Sequence, residues 1–217
     1  MKQREVFLRS EGNAWLERNS PQGSARALPE SDELLLAILQ LPPAQTAVPT
    51  KLLEIGCSSG SRLAWLRQNR GFDCYGLDPS AKAVEAARAQ GVVAQQGTAD
   101  TLPFDTAAFD IVVFGFCLYL CDREDLFQIA SEADRVLRNP GWIVIHDFYS
   151  PTPSQRPYHH LSGISSFKMD YRTLFAWHPG YCNYFHKVGH HVNGNFTDDR
   201  DEWVAISTLR KNLSCRE

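Results

Sequence analysis

Between residues 51 and 146, short apolar runs alternate with longer stretches in which apolar residues recur every three or four positions. The short runs predict strands at 51–55, 74–77, 92–96, 110–114 and 142–146, and the longer stretches predict helices at 61–70, 81–90 and 124–138. The third helix has the clearest pattern, with Leu126, Ile129, Ala130, Ala133, Val136 and Leu137 on one face. Gly71 and Gly91 follow the first two helices, where a left-handed residue closes a last turn. Pro140-Gly141 turns the chain into the fifth strand.

The flanks are less regular. A helix is expected at 11–19, then a loop carrying Pro21, Gly23 and Pro29. Ser31 with Glu33 and Leu34 opens a second helix over 34–39, and 42–50 is a connector. Pro151, Pro153 and Pro157 lead into an aromatic- and His-rich region, which closes with strands at 183–188 and 203–209. Alternating strands and helices imply right-handed crossovers and a parallel sheet, and the late strand pair fits a hairpin on the sheet edge.

Composition narrows the class. A chain of 217 residues with 43% hydrophobic content suffices for one domain, which buries roughly 70% of its unfolded surface. The net charge is −3 and no basic run occurs, which argues against nucleic acid, whose backbone draws a basic face. The six cysteines form no CxxC pair, so free thiols in a reducing compartment are expected rather than disulfides or zinc. The first residues lack the apolar core of a signal peptide, and no apolar run approaches the roughly 20 residues of a membrane span. The expectation is a soluble, cytoplasmic protein; oligomeric state is not legible.

Candidate chemistry gathers at Leu52-Leu53-Glu54-Ile55-Gly56-Cys57-Ser58-Ser59-Gly60, a buried strand running into a glycine turn. In parallel sheets, ligands sit outside the carboxyl ends of the strands, beside the switch point. Asp78, at the end of the second strand, is placed to accept both hydroxyl protons of an adenosine ribose. A dinucleotide fingerprint needs glycines where this chain has Ser58 and Ser61. Glu54 adds a carboxylate that is awkward for a pyrophosphate and useful for an amine-bearing ligand. The balance favours S-adenosylmethionine over a nicotinamide dinucleotide.

With those residues in view, 51–148 resembles the cofactor half of class I S-adenosylmethionine-dependent methyltransferases. Glu54, Gly56 and Gly60 match the first motif, E/D-x-G-x-G-x-G, with Ser58 in place of its middle glycine. Asp78 in Gly76-Leu77-Asp78-Pro79-Ser80 matches the ribose-binding acid. Gly97-Thr98-Ala99-Asp100-Thr101-Leu102-Pro103-Phe104 is similar to the segment beside the adenine, with Thr98 replacing the usual acid, so the Ala99 backbone or Asp100 takes the adenine amine. Phe109 to Phe114 matches the fourth-strand motif. The resemblance implies an α/β fold: a Rossmann-like, doubly wound, seven-stranded, mostly parallel sheet with an antiparallel C-terminal hairpin. It also implies S-adenosyl-L-methionine as methyl donor, S-adenosyl-L-homocysteine as product, and cofactor contacts from Glu54, Gly56, Cys57, Ser58, Gly60, Asp78, Pro79, Thr98, Ala99, Asp100, Phe114, Gly115 and Phe116. The organisation expected is a helical cap over 1–45 and a methyltransferase domain over 46–217, with 151–180 as an acceptor-side insertion. Trp15, Arg18 and Asn19 form either a lid over the cofactor or an ordinary packed helix.

All seven histidines lie after residue 145. His146, His159 and His160 are candidate general bases or simply polar rim, and Tyr119 is an acceptor-facing or a core aromatic. The pairs His159-His160 and His190-His191 lack the i, i+4 spacing that aims two imidazoles together, so no metal is expected. The place after the fourth strand holds Phe114-Gly115-Phe116-Cys117 rather than the D/N-P-P-Y/F tetrad of base methylation. The reading is methyl transfer to a nucleophilic oxygen or nitrogen of a small polar acceptor. The alternatives are a protein or nucleic-acid methyltransferase of the same fold, or a non-catalytic cofactor-binding subunit.

Overall fold

Strand β1 (Lys51–Ile55) is the centre of the molecule, and its alternation divides the core in two. Leu52 packs with Leu34, Leu63 and Val84 on one face of the sheet, and Leu53 with Ile129, Ala133 and Leu174 on the other. A parallel strand covered on both sides must be apolar at successive positions, which is why this run lacks the polar half of an amphipathic strand. The structure is a computed structural model and describes residues 2–19, 32–42 and 49–213. Pro21, Gly23, Pro29, Ser31, Cys215 and most of the 42–50 connector lie outside the described residues.

After β1 the order is α4 (Ser61–Arg70), β2 (Asp73–Asp78), α5 (Ala81–Ala89), β3 (Val93–Gln96), β4 (Phe109–Gly115), α6 (Leu126–Val136) and β5 (Leu137–Phe148). Before it come α1 (Gln3–Val6), α2 (Gly12–Asn19) and α3 (Glu33–Leu39). A small hairpin, β6 (Ser154–Pro157) and β7 (Ser165–Lys168), precedes α7 (Thr173–Ala176), β8 (Tyr181–His190) and β9 (Trp203–Lys211). The seven-stranded sheet runs β3-β2-β1-β4-β5-β9-β8. β9 is antiparallel to both of its neighbours, and the remaining pairs are parallel. The expected fold class and edge hairpin are therefore present. The strand order reverses direction between β1 and β4, so the carboxyl ends of these two strands diverge and leave a crevice.

Several expected boundaries shift for physical reasons. Asp32, not Ser31, caps α3: its Oδ1 accepts the Leu35 N–H at 2.7 Å. The helix expected at 124–138 is α6, preceded by a 3₁₀ turn at Arg123–Asp125, and Leu137 and Arg138 already belong to β5. Pro140 disfavours helical backbone at the residue before it, and the chain enters the strand early. β8 is longer than 183–188 and bulges between Asn183 and Phe185. The N-terminal helix starts at Gln3 rather than at residue 11, because a π turn at Phe7–Glu11 joins α1 to α2. A widened turn shifts the side-chain register, which hides the segment from a 3.6-residue pattern. Among the described residues no helix is long and apolar enough to cross a membrane.

Leu53 has no solvent exposure at the middle of the sheet. Leu53→Ala is expected to cost about 3 kcal/mol, seen in urea unfolding as a lower midpoint with an unchanged slope.

Candidate active site

The turn after β1 is built from left-handed backbone. Gly56 (φ 78°), Ser58 (φ 49°) and Gly60 (φ 74°) all sit there, and Gly60 then opens α4. Ser58 thus adopts the conformation that the middle glycine of the motif would supply, at a cost of roughly 1 kcal/mol. What holds it is Asp78: Oδ2 accepts the Ser58 N–H and Oδ1 accepts the Ser80 N–H, both at 2.8 Å. Two of the carboxylate's roughly four acceptor positions are spent this way, and the others are free for a ligand. Burial raises the Asp78 pKa, and the two amides act against that rise.

A cavity of about 100 Å³, open to solvent, occupies the crevice. Gly56, Asp78, Pro79, Thr98, Ala99, Asp100, Gly115, Phe116 and Trp15 all reach its wall. Six other expected contacts do not. Phe114 has no exposure and packs on Phe175, because strand alternation turns it into the core. Cys57 faces Gly76, with its sulfur 2.6 Å from where a Cβ on Gly76 would stand. Gly60 lies against Ala87 of α5. Ser58 offers its amide to Asp78 rather than to the cavity. Arg18 is tied to Glu11 and to the Tyr158 hydroxyl, away from the wall.

Glu54 is the sixth. It is 1% exposed and ion-paired through Oε1 with Arg62, while Oε2 has no hydrogen-bond partner. Burial outweighs Arg62 and pushes its pKa up to about 7. Gly115, which lines the cavity, carries no side chain to separate it from this carboxylate; a Cβ there would stand 2.9 Å from Oε1.

The segment before residue 11 also reaches the crevice, although the apolar pattern places no helix there. Arg4, Phe7 and Gly12 line the cavity alongside Trp15. A Cβ on Gly12 would stand 3.0 Å from the Ser80 N and 3.2 Å from the Pro79 C, so a glycine is needed for the helix to reach the turn beside Asp78. Arg4 Nη1 bonds Asp100 at 2.7 Å and Asp125 at 2.8 Å, and Asp122 accepts the Gln3 and Arg4 amides. Asn13 Oδ1 accepts from the Ser80 hydroxyl at 2.7 Å. The helix is fastened like a strap across the Asp78 side of the crevice. Among these residues, Gly12 beside Trp15 was the one legible signal, a glycine inside a helical pattern.

At the other end, Phe116 (φ 48°) packs tilted against His146 with centroids 4.3 Å apart and edge-on against Phe148 at 5.5 Å. Trp15 donates its indole N–H to the Tyr119 hydroxyl at 3.0 Å, and Tyr119 packs on Phe148. Burial raises the Tyr119 pKa, so the phenol stays protonated. His146 sits behind Phe116, where desolvation and the Arg62 guanidinium push its pKa down to about 3, too low for an effective base. Asp147 is buried, accepting the Cys117 and Leu118 amides on Oδ2 and the Phe148 amide on Oδ1. His159 and His160 are exposed and off the cavity wall. His190, His191 and Glu202 do converge, with ligand atoms within 4.8 Å, because the strand ends at His190 and the chain turns. His190 Nδ1 accepts the Val192 N–H, which leaves its proton on Nε2, facing Glu202.

With the crevice, the acid after β2 and the glycine turn after β1 in place, the domain resembles class I S-adenosylmethionine-dependent methyltransferases. Residues 53–145 match the family model described as "Methyltransferase domain". Among curated relatives, the "Uncharacterized methyltransferase YcgJ" of Bacillus subtilis is 30% identical over 122 residues, 52% of this chain and 46% of the relative. The fatty-acid O-methyltransferase of Mycolicibacterium smegmatis is 34% identical over 151 residues, 65% and 52% respectively. The chain thus spans about half the length of the curated relatives it matches. Among solved structures, a Burkholderia thailandensis 1,6-didemethyltoxoflavin-N1-methyltransferase with bound S-adenosylhomocysteine superposes with TM-score 0.65 at 16% identity, covering 96% of this chain and 87% of that one.

The residues fit the methyl donor. The free acceptor positions of Asp78 suit a ribose diol, and the orphaned Glu54 oxygen lacks the kind of donor that an amino-acid end supplies. Asp78→Ala strands the Ser58 and Ser80 amides and is expected to cost about 2 kcal/mol of ligand-free stability by urea unfolding, while Asp78→Asn retains about half of that through its amide oxygen.

Proposed function

We propose that this chain is an S-adenosylmethionine-dependent methyltransferase acting on a nucleophilic oxygen or nitrogen of a small acceptor. The observation that carries the reading is the cavity at the β1/β4 divergence, with Asp78 on one wall and Phe116 on another. When bound, S-adenosylmethionine supplies a methyl group already activated by its sulfonium. The chain's part is to bind, align and exclude water. Asp78 would hold the ribose, Asp100 with the Ala99 backbone the adenine edge, and Glu54 the ammonium. Phe116, Trp15, Tyr119 and Phe148 wall the acceptor side, with 1–45 as a cap and 151–180 as an acceptor-side insertion.

None of the candidate bases is available at the cavity among the described residues. His146 is a weak base behind a ring, Asp147 is committed to backbone amides, and Tyr119 keeps its proton. Such a site suits an acceptor whose nucleophile needs no base at neutral pH, such as a carboxylate oxygen or an unprotonated ring nitrogen. The named relatives, acting on a fatty-acid oxygen and on the N1 position of a heterocycle, support that range.

Calorimetry should show one equivalent of S-adenosylhomocysteine bound and none of a nicotinamide dinucleotide. Dinucleotide binding without S-adenosylhomocysteine binding would overturn the reading. Asp78→Ala should weaken S-adenosylhomocysteine by roughly 30-fold or more, the worth of two hydrogen bonds to a charged group. Once an acceptor is in hand, His146→Gln should leave the pH profile of kcat/KM without a lost limb between pH 5 and 8; loss of such a limb would restore His146 as the base.

A further inference from the structure

Glu54 is held in an unusual way. Its partner Arg62, in the first turn of α4, points a fork at two carboxylates at once. Nε and Nη2 bond the two oxygens of Asp32 at 3.1 and 3.0 Å, and Nη1 bonds Glu54 Oε1. Asp32 is itself fixed, since its Oδ1 also caps α3. The guanidinium is therefore held in place, and Glu54 is left with Oε1 bonded by Arg62 behind Gly115 of the cavity wall and Oε2 without a hydrogen-bond partner.

The charges facing Glu54 make Arg62 indispensable. Asp32 approaches from ahead of α3 and Asp78 from the end of β2, and both repel a carboxylate. His146, on β5, is neutral, and burial also keeps the Cys57 and Cys74 thiols neutral. Lys187, from β8, is paired with Glu33. Among the described residues, Arg62 is the cation in contact with this carboxylate. A carboxyl so fully buried takes up a proton when its one counter-charge is removed. A neutral carboxyl no longer pairs with an ammonium group.

We propose that Arg62, braced by Asp32, is a positioning residue that keeps Glu54 an anion and thereby sets how tightly the chain holds the amino-acid end of S-adenosylmethionine. This rests on the proposed function and adds a control element to it. It also separates two halves of the ligand: the nucleoside half should be indifferent to Arg62, and the amino-acid half should depend on it.

The test is calorimetric binding of two probes, S-adenosylhomocysteine and 5′-methylthioadenosine, which shares the nucleoside but has no amino-acid end. In the wild type, S-adenosylhomocysteine affinity should fall as pH drops from 8 to 6, through the Glu54 pKa of about 7, while 5′-methylthioadenosine affinity stays flat. Arg62→Met should weaken S-adenosylhomocysteine about tenfold or more at pH 7.5 and move the acid limb upward, each unit of Glu54 pKa costing about tenfold. The same variant should bind 5′-methylthioadenosine within about twofold of wild type. Arg62→Lys, which keeps the charge, should recover most of the loss, and it carries the test if Arg62→Met does not fold. Equal weakening of both probes would make Arg62 a structural tether and overturn the proposal, as would an unchanged affinity for S-adenosylhomocysteine. A wild type that binds neither probe would instead remove the proposed function itself.

Discussion

At the carboxyl edge of the sheet the backbone must bend sharply twice, and each bend exposes amides that water cannot reach. A buried carboxylate serves each one. Asp78 takes the amides of Ser58 and Ser80, and Asp147 takes those of Cys117, Leu118 and Phe148. Unmade hydrogen bonds of this kind are expensive, and bonds to a charged acceptor are the strong ones. The two acids stand on different strands, β2 and β5, so each stitches its own strand to a turn that follows another. The crevice between those turns is held open by these stitches, and the ligand cavity is the space between them.

This arrangement gives the two carboxylates different futures. Asp78 has acceptor capacity left and faces the cavity, so the group that shapes the turn is also the one proposed to hold a diol. Asp147 has both oxygens engaged and faces the core, so its work ends with the turn. Glu54 is a third case, a carboxylate whose anionic form depends on a neighbour rather than on amides. Three buried acids within one edge thus serve as scaffold and proposed ligand contact, as scaffold alone, and as a proposed ligand contact conditional on a cation.

Much of this was legible before the structure, wherever local pattern decides the outcome. The five parallel strands follow from apolar runs, and Asp78 from its place at a strand end. The failures have common causes. The family resemblance places Phe114 at the cofactor together with Gly115 and Phe116, but one residue along a strand is the opposite face. Arg18 was expected at the cavity, but its charge is spent on Glu11. The strap before residue 11 was invisible because a π turn breaks the helical period. The pairing of Arg62 with Glu54 and Asp32 joins residues that share no periodicity, and only the folded sheet brings them together.

The strap has a consequence for traffic rather than for affinity. It crosses the Asp78 side of the crevice and is fastened by Arg4 to Asp100 and Asp125 at one end, and by Asn13 to Ser80 and Glu17 to Lys82 at the other. The exposed Glu17–Lys82 clasp is loosened by dissolved salt, and the pairs of Arg4 with the buried Asp100 and Asp125 are screened less. On the proposed function a nucleoside would pass beneath these clasps, and its rate of exchange would then vary with the ionic strength of the surroundings.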